Sequence, residues 1–147
     1  MKVPTVGGSL FLVVVCGCST GAKPYKTAPV SGTITLDGKP LAGAHVTFMP
    51  APDATGPTQT GPESAGDTDG SGHYSLKTVF GDAGASVGKN RVMITTRKTE
   101  LDANNPDKSK EIAKEQVPGK YFTDQAPLQF EVPTGGSKSA NFELTTK

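Results

Sequence analysis

The side chains best suited to chemistry are few, because the 147 residues include only two cysteines and two histidines. Cys16 and Cys18 have one residue between them, a spacing that suits a redox pair or two ligands of a metal ion. A structural zinc site needs four ligands, so two cysteines alone cannot complete one. His45 and His73 are far apart in the sequence and could form an iron site only together with two tyrosines. The chain contains Tyr25, Tyr74 and Tyr121.

A short acidic stretch, Asp67-Thr68-Asp69-Gly70, is a candidate calcium loop. If Gly70 takes the sixth position of an EF-hand loop, the two aspartates take the third and the fifth. The first and twelfth positions are then Ala65 and Leu76, and neither side chain supplies an oxygen ligand. We therefore expect a β-turn in which the aspartates accept hydrogen bonds from nearby backbone N–H groups.

Motifs for nucleophilic or phosphate chemistry are absent from the sequence. Serines are plentiful, but no Gly-x-Ser-x-Gly elbow is present, and neither histidine is a natural partner for one. There is no phosphate-binding loop either. The sequence therefore predicts a protein that is not an enzyme, with no catalytic, cofactor-binding or metal-binding residue.

The first 17 residues have the pattern of a secretory signal peptide. Lys2 supplies a positive charge, and the apolar run at residues 10–15 is far too short to span a bilayer. The run ends in Val15-Cys16-Gly17-Cys18, which resembles the lipobox of bacterial lipoproteins. That resemblance implies cleavage before Cys18, a diacylglyceryl thioether on its sulfur and acylation of its new amino group. Several acyl chains together hold a protein firmly at a membrane.

The rest of the chain is expected to form an all-β frame. Its 18 glycines and 12 prolines oppose helices, and aromatic residues make up only 6% of the sequence. Residues 18–28 have no periodicity and predict a flexible tether, which leaves residues 29–147 as the folded domain. Alternation of apolar and polar residues predicts six short strands. They are residues 30–36, 45–49, 73–78, 89–98, 128–132 and 140–144.

The phase of these strands predicts which side chains form the core. Residues 50–72 should form a long loop, because Pro, Gly and small polar residues dominate them. Residues 109–115 should form a short surface helix with Ser109 as its cap. The two histidines should point outward and Tyr74 inward. The core residues expected on facing sheets are Phe48, Val92, Ile94, Phe130 and Phe142.

Three stretches of the chain combine strand and turn residues in a specific order. They are Val30-x-Gly32-x-Ile34-x-Leu36-Asp37-Gly38-Lys39-Pro40-Leu41-x-Gly43-Ala44-x-Val46-x-Phe48, Thr68-Asp69-Gly70-x-Gly72-x-Tyr74-x-Leu76 and Gly88-Lys89-x-Arg91-Val92-x-Ile94-Thr95. Together they resemble the carboxypeptidase regulatory-like domain, which is widespread in short bacterial lipoproteins. The resemblance implies an antiparallel, Ig-like or transthyretin-like β-sandwich of about seven strands. Known members mostly serve as folding or interaction modules without chemistry of their own.

Charge and motif content narrow the expected function. Loss of residues 1–17, whose one charged side chain is Lys2, changes the formal net charge from +1 to zero, so nothing favours nucleic acid as a partner. We expect a non-catalytic structural or interaction module of the bacterial cell envelope, anchored to membrane lipid (a palmitate-type modification) through Cys18. The outer membrane or the cell surface is favoured over the inner membrane. The expected partner is an envelope protein or a glycan.

Two enzyme families with related sandwiches define the alternative. Intradiol dioxygenases hold iron with two histidines and two tyrosines, but the closely spaced histidine pair of that family is missing here. Transthyretin-like hydroxyisourate hydrolase ends in Tyr-Arg-Gly-Ser, a motif that residues 141–147 of this chain do not contain. Although these motifs are missing, the related fold leaves one alternative function open. It is a metal-dependent enzyme of the dioxygenase kind, or a small-ligand binder on the same fold.

Overall fold

Two β-sheets packed face to face form most of the structure. A computed structural model of the protein describes residues 25–52, 61–123 and 128–147. The first sheet has five strands in the order β12-β9-β4-β5-β7, and all its neighbouring strands are antiparallel. These strands are β4 (His45–Pro50), β5 (Ser64–Asp67), β7 (Lys77–Thr78), β9 (Gly88–Thr95) and β12 (Leu128–Val132).

The second sheet is built around β2. Its order is β13-β2-β3, and β6 also pairs with β2. β13 runs parallel to β2, whereas β3 and β6 run antiparallel to it. The strands of this sheet are β2 (Ser31–Leu36), β3 (Lys39–Pro40), β6 (His73–Ser75) and β13 (Phe142–Leu144).

Two further strand pairs lie outside these sheets. β1 (Thr27–Ala28) pairs with β8 (Ala85–Ser86), and β10 (Lys98–Asp102) pairs with β11 (Asn105–Ala113) as a hairpin. A single 3-10 turn spans Gly119–Tyr121, and the described residues contain no helix long and apolar enough to cross a membrane. The predicted all-β sandwich is therefore confirmed. Its two sheets hold nine strands, of which β3 and β7 are only two residues long.

Three phenylalanine rings join the two sheets at the centre of the core. Phe48 and Phe130 come from the first sheet and Phe142 from the second, and their ring centroids are 5.9, 6.2 and 6.1 Å apart in edge-to-face contacts. Such pairs stabilise by about 1 kcal/mol beyond the burial of their area. Val92 and Ile94 are fully buried beside them, as the strand phase predicts. Phe130, on edge strand β12, is half-buried.

Two motif positions are fixed by backbone geometry. A Cβ atom at Gly32 would lie 2.1 Å from the carbonyl oxygen of Ala140, so the two chain segments can approach only if residue 32 is glycine. Asp37 and Gly38 both have positive φ, 48° and 80°, as the tight Asp-Gly turn between β2 and β3 requires. Both positions belong to the first motif of the sequence.

The strands define two opposite ends of the sandwich. We call the end that contains Ser64, Thr78 and Gly88 the N-terminal end, because β1 and the first described residue, Tyr25, also lie there. The hairpin end contains Thr95, where β9 finishes and the β10–β11 hairpin begins. The eight residues of β9 separate the two ends by about 24 Å.

The predicted helix at residues 109–115 is wrong, because most of this segment belongs to β11. The segment pairs with β10 instead, with Leu101 opposite Ser109 and Glu100 opposite Lys110. The reversal at Asp102–Asn105 is stabilised by local hydrogen bonds, including one from the backbone N–H of Asn104 to Asp102 Oδ1 at 2.9 Å. An aspartate and two asparagines favour this turn, and the two charged segments can then pair.

The predicted loop at residues 50–72 is wrong over β5, which is a central strand of the first sheet. Its sequence, Ser64-Ala65-Gly66-Asp67, has no large apolar side chain that could reveal a strand. Small residues are needed, because a Cβ atom at Gly66 would lie 2.2 Å from the carbonyl oxygen of Ser75. The residues of β5 are small because the backbone at Ser75 passes close to this strand, and not because the strand buries apolar side chains.

The folded domain begins earlier than residue 29. Thr27 and Ala28 form β1, and Ala28 is only 1% exposed. The last two residues of the predicted tether at 18–28 are therefore part of the folded domain, where β1 pairs with β8 beside the two main sheets. The predicted signal peptide at residues 1–17, which includes Cys16, and the predicted lipidation site Cys18 lie outside the described residues.

Candidate functional site

A groove at the hairpin end is a candidate site, because charged and hydroxyl side chains converge there. It lies where β4, β5 and β9 meet the β10–β11 hairpin, and its volume is about 460 Å³. One wall carries Ile112, which is 54% exposed. The groove is lined by His45, Asp67, Thr95, Arg97, Lys98, Thr99, Glu100 and Ile112.

Asp67 lies between two basic side chains of the groove. Its Oδ1 is 3.2 Å from His45 Nδ1 and 3.7 Å from Lys98 Nζ. The side chains of His45 and Asp67 are 43% and 59% exposed, so water screens this pair and it stabilises the fold little. The side chains of His45, Asp67 and Lys98 can therefore pair with charged groups of a partner, and the domain loses little stability when they do.

The hydrogen-bond partner described for the His45 ring is Asp67. In Ser-His-Asp catalytic sites, the histidine that contacts the aspartate also contacts the hydroxyl group that it activates. The hydroxyl of Thr95, which is opposite His45 in the β4–β9 register, donates its hydrogen bond to Glu115. The arrangement is suited to binding polar and charged groups.

Glu115 holds the hairpin to the sandwich. Its Oε1 accepts from the backbone N–H of Thr96 at 2.9 Å and of Val117 at 3.0 Å, and from the Thr96 hydroxyl at 2.8 Å. Its Oε2 accepts from the Thr95 hydroxyl and the Arg97 N–H. Partial burial raises the pKa of Glu115, but these hydrogen bonds outweigh burial and lower the pKa to about 2. The groove thus has a fixed wall.

The candidate calcium loop is a β-turn, as expected. Asp69 Oδ1 accepts from the Ser71 N–H at 2.9 Å, the Ser71 hydroxyl at 2.7 Å and the His73 N–H at 3.0 Å. The hydrogen bonds from Ser71 lead the effects that lower the pKa of Asp69. Gly72 supplies the positive φ, 76°. Asp67 is directed to the groove and not to this turn.

The histidines and tyrosines of the candidate iron site do not come together. His45 lies on the first sheet and His73 on the second. Tyr74 is 1% exposed and its hydroxyl donates to the Ala140 carbonyl at 2.6 Å. Burial raises the pKa of Tyr74. In the described part of the chain, no group of three His, Cys, Asp or Glu side chains is placed to hold a metal ion.

Sequence analysis did not identify the groove, because one of its walls is the β10–β11 hairpin, and the second strand of that hairpin lies largely where a helix was expected. Arg97 and Glu111 form an ion pair, with Nε and Oε2 2.9 Å apart, between the start and the end of the hairpin. The one available signal was the Asp102–Asn105 turn between two strand-length segments.

Comparisons with known proteins add little to this picture. No protein-family model matches the sequence, and no curated protein matches it. A solved structure with similarity to the chain is a 9R-lipoxygenase from Cyanothece PCC8801, with 14% sequence identity and a TM-score of 0.42. The match covers 82% of this chain and 16% of the lipoxygenase chain. A similarity this distant supports no argument about activity.

Proposed function

We propose that this protein is a non-catalytic structural or interaction module of a bacterial cell envelope, held to membrane lipid through Cys18. A signal-peptide pattern that runs directly into lipobox-like residues 15–18 supports the anchor. Membership of the carboxypeptidase regulatory-like domains is supported by Gly32 and by the Asp37-Gly38 turn, whose geometry calls for these residue types. The outer membrane or the cell surface is the favoured location.

The separation of the N-terminal end from the hairpin end is the observation that supports this function most. The described chain begins at Tyr25, beside Gly61 and Ser86, whereas the groove lies at the far end of β9. A domain tethered by its N-terminus would therefore present the groove and the hairpin away from the bilayer. That orientation suits contact with another component of the envelope.

The side chains of the hairpin end favour a protein as that partner over a glycan. Leu101 is 71% exposed on the hairpin, and Ile112 lines a groove that otherwise carries charged and hydroxyl groups. Apolar anchors surrounded by a polar rim are typical of protein interfaces. The described residues that line the groove include no phenylalanine or tyrosine, whereas sugar-binding sites usually present such rings.

The anchor is tested by acyl labelling of cells that express the full chain. Cys18→Ala should abolish labelling with a fatty-acid analogue and leave an uncleaved precursor, because the thioether needs the Cys18 sulfur. The matched control is Cys16→Ala, which should be labelled and cleaved like the parent. Labelling that persists in Cys18→Ala would show that the protein is not a lipoprotein of this type.

The binding end is tested by photo-crosslinking in the same cells. A photoreactive amino acid in place of Leu101 should yield adducts with an envelope protein. The same amino acid in place of Glu131, which is exposed on β12 near the N-terminal end, is the control and should yield none. Equal adducts at both positions, or none at Leu101, would contradict the assignment of the hairpin end.

A further inference from the structure

The exposed large apolar side chains of the described residues fall into two pairs, one at each end of the sandwich. Leu101 and Ile112 belong to the hairpin end, where the proposed partner accounts for them. Val79 and Phe80 follow β7 directly and therefore lie at the N-terminal end, 67% and 72% exposed. Nothing in the function proposed above uses this second pair.

The turn that carries Val79 and Phe80 is held by its own hydrogen bonds. The Val79 N–H donates to the Glu63 carbonyl at 3.0 Å, and the Gly81 N–H donates to the Thr78 carbonyl at 2.8 Å. Thr78 and Asp82 are joined twice, by N–H to carbonyl at 2.8 Å and by N–H to hydroxyl at 3.0 Å. Backbone that enters a lipid interface must be satisfied within the protein, and this turn meets most of that need.

The apolar turn and the start of the domain contact the same short segment, residues 61–63. Glu63 accepts the hydrogen bond from Val79. At the other end of this segment, a Cβ atom on Gly61 would lie 3.3 Å from the Cβ of Tyr25. Seven peptide units connect Cys18 to Tyr25, and even fully extended they span at most about 25 Å. A lipid anchor on Cys18 therefore keeps this end of the sandwich close to the bilayer.

We propose that Val79 and Phe80 insert into the surface of the bilayer that holds the acylated Cys18. The proposal rests on the proposed function, which places a bilayer within reach of this end. Lipid is the occupant that fits, because the two exposed side chains form a small apolar tip on a turn that hydrogen bonds hold in place. Because the anchor on Cys18 already holds the protein at the bilayer, insertion of Val79 and Phe80 is an intramolecular step. Even a weak affinity of these two side chains for lipid then populates the inserted state. The insertion would fix the tilt of the domain and direct the hairpin end outward.

The absence of tryptophan from the chain allows a direct test. The full lipidated protein carrying Phe80→Trp is reconstituted into vesicles of phosphatidylcholine, either ordinary or brominated on its acyl chains. Bromine quenches only indole that reaches the acyl region. Fluorescence of the Phe80→Trp protein should be blue-shifted and should fall in brominated vesicles. Val79→Trp serves as a second reporter if Phe80→Trp does not fold.

Leu101→Trp is the matched control, because Leu101 is equally exposed but lies at the hairpin end. Its fluorescence should be the same in both kinds of vesicle. Equal quenching of the Phe80→Trp and Leu101→Trp proteins, or quenching of neither, would overturn the inference. Mass measurement of the same samples reports acylation at Cys18 separately. An acylated protein whose Phe80→Trp reporter is unquenched refutes the lipid contact alone, whereas an unacylated protein that is still quenched refutes the anchor alone.

Discussion

Glu115→Gln should destabilise the domain, because Glu115 accepts the hydrogen bonds that hold the hairpin to the sandwich. In the folded protein the pKa of Glu115 is lowered from 4.5 to about 2. At about 1.4 kcal/mol per pKa unit this corresponds to about 3–4 kcal/mol as an upper limit, and screening of the partly exposed carboxylate reduces it to about 2–3 kcal/mol. Glutamine keeps one acceptor oxygen but places an NH2 group against N–H or O–H donors, so most of this stabilisation should be lost.

The measurement is urea unfolding followed by circular dichroism at neutral pH and at lower pH. With a typical dependence on urea, a loss of about 2–3 kcal/mol lowers the midpoint by about 1–2 M. Because the folded pKa of Glu115 is lowered, its stabilisation is complete above pH 4.5 and is lost as the pH falls through about 2. By pH 3 about half of the difference between parent and Glu115→Gln should have disappeared.

Glu111→Gln is the matched control on the same hairpin. Glu111 pairs with Arg97 at the surface, where the two side chains are 36% and 63% exposed, so its loss should cost less than about 1 kcal/mol. Equal midpoints for the parent and Glu115→Gln at neutral pH would refute the assigned role. So would a difference between the two proteins that stays constant from pH 7 to pH 3.

Two further changes test the core by the same unfolding assay. Phe142→Ala removes the ring that contacts both phenylalanines of the opposite sheet, and should cost about 3–5 kcal/mol; a midpoint equal to that of the parent would contradict the packing. Gly32→Ala places a methyl group against the Ala140 carbonyl and should cost at least about 1–3 kcal/mol. The control is Gly70→Ala, which has open space around the new Cβ atom and should change the midpoint little. Similar losses of stability for the two variants would show that residue 32 does not lie close to the Ala140 carbonyl.

The strands that the sequence predicts correctly are those with large apolar residues in alternation. β2, β4, β9, β12 and β13 all coincide with predicted strands, because one face of each is buried against the opposite sheet. The phase is also correct, since Phe48, Val92, Ile94 and Phe142 are buried. Apolar periodicity identifies a strand only where burial of a side chain decides its position.

The elements that the sequence does not reveal are stabilised by other means. β5 is selected by small size, and β10 and β11 are solvated strands held by Glu115 and by the ion pair of Arg97 and Glu111. A deletion of residues 55–64 would remove Ser64, the first residue of β5, whose side chain is fully buried. We expect that deletion to destabilise the first sheet, which urea unfolding would show as a lower midpoint.

The parallel pairing of β2 and β13 has a mechanical consequence. β2 enters the sheet from the N-terminal end, and β13 leaves it toward the opposite end, with Phe142, Glu143 and Leu144 in register with Ile34, Thr35 and Leu36. Tension between the two termini pulls these strands along their length in opposite directions. Their hydrogen bonds are then loaded together in shear, and cannot open one after another as in an unzipping hairpin. The domain should therefore bear a load along the same axis that separates its two ends.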